Sequence, residues 1–122
     1  MISEEQKKDK MLALIDKLTE RTRTDKISWI RKEDGYGTPF KDGDIIEFSY
    51  NYEDDEEDEE NLKPINFLLC FVNSENIRYE IFYALTPDNP GYSNFLSLYH
   101  VVKEKEKRDF LKKYNDYITD SE

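Results

Sequence analysis

Cysteine and histidine each occur once in this 122-residue chain, as Cys70 and His100. A single thiol closes no disulfide within the chain, and the lack of a cysteine framework fits a reducing compartment, so the expected location is cytoplasmic. One His and one Cys also fall short of the donor sets that build a zinc cage. Glycine is scarce: Gly35, Gly37, Gly43 and Gly91 are the only four. None opens a helix directly after a strand, which argues against a phosphate-cradling loop. The start, Met-Ile-Ser-Glu-Glu-Gln, has neither the basic nor the apolar region of a signal peptide, and the longest apolar run, Phe67 to Val72, is too short to span a bilayer. No cofactor, metal or membrane is expected.

What the chain has in abundance is charge, and most of its imbalance is local. Charged residues make up 38% of the chain and hydrophobic residues 37%, with a net charge of −10. Residues Glu53, Asp54, Asp55, Glu56, Glu57, Asp58, Glu59 and Glu60 form one uninterrupted acidic run. Outside it, 20 acidic side chains face 18 Lys and Arg, leaving −2. The molecule is therefore expected to be nearly balanced apart from one acidic segment, which repels nucleic acid locally rather than everywhere.

Periodicity outlines the fold. Ser3 and Gln6 have the form of a capping box, and Met11, Leu14, Ile15 and Leu18 recur at helical spacing, which predicts an amphipathic helix over residues 4–22. From Ile27 to about Glu33 the period changes to two, with Ile27 and Trp29 on one face of a first strand. Gly35, Tyr36 and Gly37 read as a turn, followed by a short edge piece at Thr38 to Phe40. Ile46, Phe48, Tyr50 and Tyr52 alternate with polar residues as a half-buried strand, and Ile65 to Val72 form an apolar one. Between them, residues 53–63 are expected to be a mobile, solvated acidic loop. Ile77, Tyr79, Ile81, Tyr83 and Leu85 give the most regular strand pattern in the chain. Beyond the turn at Thr86 to Gly91, Phe95, Leu98, Tyr99 and Val102 fit one helical stripe, and Phe110, Leu111, Tyr114, Tyr117 and Ile118 fit another. The polar segment Lys103 to Asp109, with Glu104 and Arg108 four apart, leaves one helix or two open, and two segments are favoured. The expectation is a single α+β domain over residues 1–122: an antiparallel meander of about four strands, with an N-terminal helix and one or two C-terminal helices on one face.

Leu18-x-x-x-Thr22 followed by Ile27-x-Trp29, a glycine-containing turn and a Tyr-rich strand resembles small uncharacterised proteins encoded in bacterial and phage genomes. The resemblance covers residues 12–52. Asp25 stands where such helix-to-strand turns usually carry Gly. The resemblance implies a helix packed on a meander and an accessory role, and it transfers no active site.

Catalytic chemistry has little to draw on. Cys70 sits in an apolar strand, where a thiol behaves as a small hydrophobe rather than a nucleophile, and His100 lies on a helix. The acidic run lacks the glycine turn and ligand register of a calcium loop. An extended run does space its side chains by ~3.3 Å, near the ~3.4 Å between charges along a DNA strand, so it matches a Lys- and Arg-lined nucleic-acid groove. The expected function is thus a non-enzymatic protein-binding module, concretely a phage or mobile-element inhibitor that sets residues Glu53 to Glu60 against a basic, nucleic-acid-binding host protein. Direct nucleic-acid binding is not expected. The alternative is an immunity- or chaperone-like partner of one cognate protein, for which helix and sheet surfaces matter more than the acidic run.

Overall fold

A computed structural model describes residues 3–52 and 63–120. The first helix, α1 (Glu4–Arg23), starts where the sequence places it. Ser3 Oγ accepts from the Gln6 amide at 3.1 Å and the Gln6 side chain accepts from the Ser3 amide at 3.1 Å, the reciprocal bonds of a capping box. It ends at Thr24, after which Asp25 takes a left-handed φ of 60° and Lys26 N–H donates to the Arg21 carbonyl at 2.8 Å. A glycine fits such a position most easily, and Asp is among the few other residues that tolerate it. Trp29 then folds back on the helix: its Nε1–H donates to Thr22 Oγ1 at 2.8 Å, while the Thr22 hydroxyl donates to the Leu18 carbonyl at 2.7 Å. Leu18, Thr22 and Trp29 therefore form one clamp between helix and sheet.

Five antiparallel strands, one more than expected, form a sheet in sequence order: β1 (Ile30–Arg31), β2 (Gly35–Pro39), β3 (Ile45–Tyr52), β4 (Pro64–Val72) and β5 (Arg78–Ala84). The strand expected from Ile27 to Glu33 shrinks to two paired residues. Ile27 and Trp29 still pack on the core, but ahead of the ladder. The turn expected at Gly35 to Gly37 is instead the start of β2. Gly35 pairs with Ser49, and a Cβ there would lie 2.0 Å from the Phe48 carbonyl oxygen, so this glycine serves a close backbone approach. Tyr36 between the two glycines is 2% exposed, a core residue rather than a presented aromatic.

The regular alternation of β5 misleads. Leu69 pairs with Phe82 and Cys70 with Glu80, so Ile81 is the extra residue of a bulge, and a single insertion in a period-two strand exchanges its faces. Phe82 packs against the core and Ala84 is buried in it, whereas Tyr79, Tyr83 and Leu85, which the pattern groups on one face, are all exposed.

Residues Tyr92–Asp120 form one continuous helix, α2, rather than two segments. Its polar stretch holds no Gly or Pro to break it, and there ion pairs replace apolar contacts. Lys105 reaches Asp25 at 3.1 Å and Asp109 at 3.5 Å, and Arg108 approaches Asp25 at 3.8 Å instead of pairing with Glu104. The two helices lie side by side and run the same way, with Asp16 beside Asn94 and Asp25 beside Lys105. Together they cover one face of the sheet. Phe67 stacks on Phe95 with centroids 5.0 Å apart, and Ile15, Phe48, Leu69 and Leu98 are each no more than 1% exposed around that pair. Burial of each such side chain contributes about 1.5–3 kcal/mol, which makes this layer the main source of stability. Among the described residues no helix is long and apolar enough to cross a membrane.

Candidate functional site

Helix α2 crosses the sheet from its β4 side to β1. Tyr92 at its start donates a hydrogen bond from its hydroxyl to the Pro64 carbonyl, and Glu106, about four turns later, meets Arg31 of β1 at 3.0 Å. Between those points, side chains at three- and four-residue spacing, Tyr99, Lys103 and Glu106, face the sheet. Beneath them β2 and β3 present Tyr36, Tyr50 and Tyr52 from the face that carries Phe48.

The result is a lysine set among tyrosines. The Lys103 ammonium lies over the rings of Tyr36, Tyr99 and Tyr50, at 5.6, 5.7 and 5.9 Å from their centroids. Such placements favour a cation through the negative faces of the rings. The Tyr52 and Tyr99 hydroxyls share a hydrogen bond of 2.6 Å, and Tyr50 meets Tyr99 edge-on at 4.9 Å. Tyr36 donates from its hydroxyl to Glu106 Oε1 at 3.0 Å, the same oxygen that pairs with Arg31.

Burial, aided by the Glu106 carboxylate, raises the Tyr36 phenol well above its ordinary value. Burial likewise raises Tyr50 and Tyr99, both helped by neighbouring phenols. For Lys103 burial acts the other way and lowers the ammonium's pKa, the Arg31 charge adds to this, and Glu106 opposes it. These phenols remain protonated at neutral pH and serve as hydrogen-bonding walls rather than bases.

Past Glu106 the helix leaves the body. From Lys107 to Thr119 every residue is exposed. Phe110 is 65% exposed, Tyr114 54%, Leu111 46% and Ile118 44%, and their spacing places them on one face, continuous with Tyr99 and Lys103. Phe110 and Tyr114 stack on each other along that stripe at 6.4 Å. At the other end of the sheet, Tyr83 of edge strand β5 and Leu85 just past it are exposed along a groove of about 740 Å³ that reaches the first turns of α1.

The residues singled out in the sequence are not brought together. Glu53 to Glu60, and the loop expected over 53–63 except Lys63, lie outside the described residues. Cys70 is buried on the sheet face opposite the helices, beside the Glu47 and Arg78 pair, and burial raises its thiol pKa. His100 is exposed on α2, so the two are separated by the sheet. Among the described residues, no group of three or more His, Cys, Asp or Glu could hold a metal ion. Sequence reasoning missed Arg31, Lys103 and Lys107. The only local signal was the four-residue spacing of Tyr99, Lys103 and Lys107, which says nothing about the strands beneath. Compared with known protein families, curated proteins and solved structures, the chain matches none.

Proposed function

We propose that this chain is a non-enzymatic protein-binding module that presents the last third of α2 to one cognate protein. The observation that carries the reading is the apolar stripe Phe110, Leu111, Tyr114 and Ile118, exposed on a helix that has left its own core. Helical segments of this length are marginal in water without packing, and a helix laid in a partner's groove is a common mode of recognition. Aromatic residues at such positions supply most of the energy of many interfaces. The flanks carry Lys107, Arg108, Lys112 and Lys113, so the matching groove has an apolar floor and an acidic rim.

This is the immunity- or chaperone-like alternative of the sequence reading, in which a helix surface dominates. The inhibitor reading stays beside it on one specific observation: eight of the ten net negative charges reside in Glu53 to Glu60, which suits a basic, nucleic-acid-binding partner.

The test compares the full chain with a Leu111→Ser, Tyr114→Glu double variant and with a chain lacking residues 53–60, each used to capture proteins from native lysate. Affinities are then measured for the purified complex. The double variant, altered only at exposed positions, is expected to weaken binding by about 2 kcal/mol or more, roughly 30-fold. Unchanged affinity in the double variant, with loss only on deleting 53–60, would transfer the function to the acidic run.

A further inference from the structure

At the root of the exposed part of α2 the helix and β1 enclose an open cavity of about 590 Å³, lined by Arg31, Lys103, Glu106, Lys107 and Phe110. Three cations and one carboxylate meet there, in a chain whose net charge is −10. The single carboxylate is already engaged, since Glu106 Oε1 takes both Arg31 and the Tyr36 hydroxyl at 3.0 Å. Among the described residues neither Lys103 nor Lys107 has a carboxylate within ion-pair distance, whereas neighbouring Lys105 pairs with Asp25 and Asp109 and Arg108 with Asp25.

Lys107 is exposed and loses little in water. Lys103 is different. Its ammonium is partly withdrawn from solvent between three tyrosine rings, and cation–π contacts offset only part of the hydration it gives up. Tyrosine hydroxyls nearby are occupied with Glu106 and with each other. A half-buried cation with aromatic walls and an open front lacks one thing, an anion.

We infer that this cavity is a carboxylate-binding site, in which Lys103 and Lys107 hold a Glu or Asp side chain from an acidic segment of a partner protein, with Phe110 covering the aliphatic part. The inference rests on the protein-binding reading of α2 for the source of the carboxylate. One feature selects an acidic peptide over other anions: Phe110 lines the cavity at the start of the apolar stripe, so a ligand reaching it from the helix brings apolar side chains too. Screening by salt reaches an open site of this kind, so binding weakens as ionic strength rises.

The experiment titrates the ¹⁵N-labelled full chain with a short glutamate-rich peptide carrying leucine, at low and high salt. Inorganic phosphate and a single-stranded oligonucleotide are parallel arms. Peptide shifts are expected to centre on Arg31, Lys103, Lys107 and Phe110, and Lys107→Gln and Lys103→Gln should each lower affinity about tenfold. Lys107 is exposed, so its variant decides the matter even if the Lys103 variant fails to fold. Unchanged affinity in Lys107→Gln, shifts centred on the lysines of α1, or phosphate or oligonucleotide binding as tight as the peptide's would each overturn the site. Peptide binding here, alongside partner capture indifferent to Leu111→Ser and Tyr114→Glu, would keep the site and overturn only the helix-docking reading.

Discussion

Replacing Gly35 by Ala distinguishes a strand position from a turn position more sharply than any other single change. In a solvated turn with φ below zero, alanine is tolerated at little cost and can even stabilise by restricting the unfolded chain. In β2 the added Cβ would sit 2.0 Å from the Phe48 carbonyl oxygen and 2.8 Å from Ser49 Cα. Both are backbone atoms, so no side chain can rotate away. Relief requires β2 and β3 to separate by roughly 1 Å, which takes hydrogen bonds between them and their ends, such as Tyr50 N–H to the Asp34 carbonyl at 3.0 Å, beyond useful length. Losing one or two at about 1 kcal/mol each, with overpacking strain of about 1–3 kcal/mol, gives a destabilisation of about 3 kcal/mol. That is a large share of the stability of a typical domain and corresponds to a fall in Tm of about 10 °C or more. Urea denaturation followed by Trp29 fluorescence measures it directly, since Trp29 lies edge-on to Phe48 at 5.2 Å. A loss below about 1 kcal/mol, with unchanged fluorescence, would refute the register of β2 on β3.

Removing residues 53–60 leaves Asn61 to Lys63 to join β3 and β4, whose ends meet at Tyr52 and Pro64, and brings the net charge to −2. The fold should persist, with a gain of about 1 kcal/mol from closing a shorter connection; loss of a cooperative urea transition would contradict the described pairing. At high pH the raised phenols decide the sign: Tyr36, Tyr50 and Tyr99 keep in the folded state protons that the unfolded chain releases near pH 10.0. Their stabilisation is complete below that pH and is lost as pH rises through their folded values. The lowered Lys103 pKa acts oppositely, improving stability as pH approaches its unfolded value of 10.5, but it is one group against three. Stability should therefore fall above about pH 10, and a phenolate absorbance titration should show at least three of the nine tyrosines ionising late. Uniform ionisation of all nine in the folded protein would refute the cluster.

Several elements were legible in the sequence because their causes are local. The capping box at Ser3 and Gln6, the helical stripe through Leu18, and the alternation of Ile46 to Tyr52 each depend on neighbours a few residues away. The errors have an equally physical origin. Gly35 and Gly37 look like turn residues because glycine permits turns, yet close strand approach uses the same missing side chain. The pattern through Tyr79 and Tyr83 is perfect in sequence and wrong in space because the bulge at Ile81 is defined by pairing with β4. Polar Lys103 to Asp109 looked like a break because the partners of its charges, Asp25 and Arg31, lie far away in sequence.

The sequence by itself determined that this is a small α+β chain with amphipathic helices at both ends, and that nearly all its net charge lies in Glu53 to Glu60. Periodicity and charge are one-dimensional quantities, so both can be read without coordinates. Only the tertiary structure decided that α2 runs unbroken past the sheet, that its first part is core while Phe110 to Ile118 face water, and that Lys103 sits among Tyr36, Tyr50 and Tyr99. Those facts depend on how far the sheet extends beneath the helix and on which strands meet it. Residues some fifty and seventy positions apart must be brought into contact before either becomes visible.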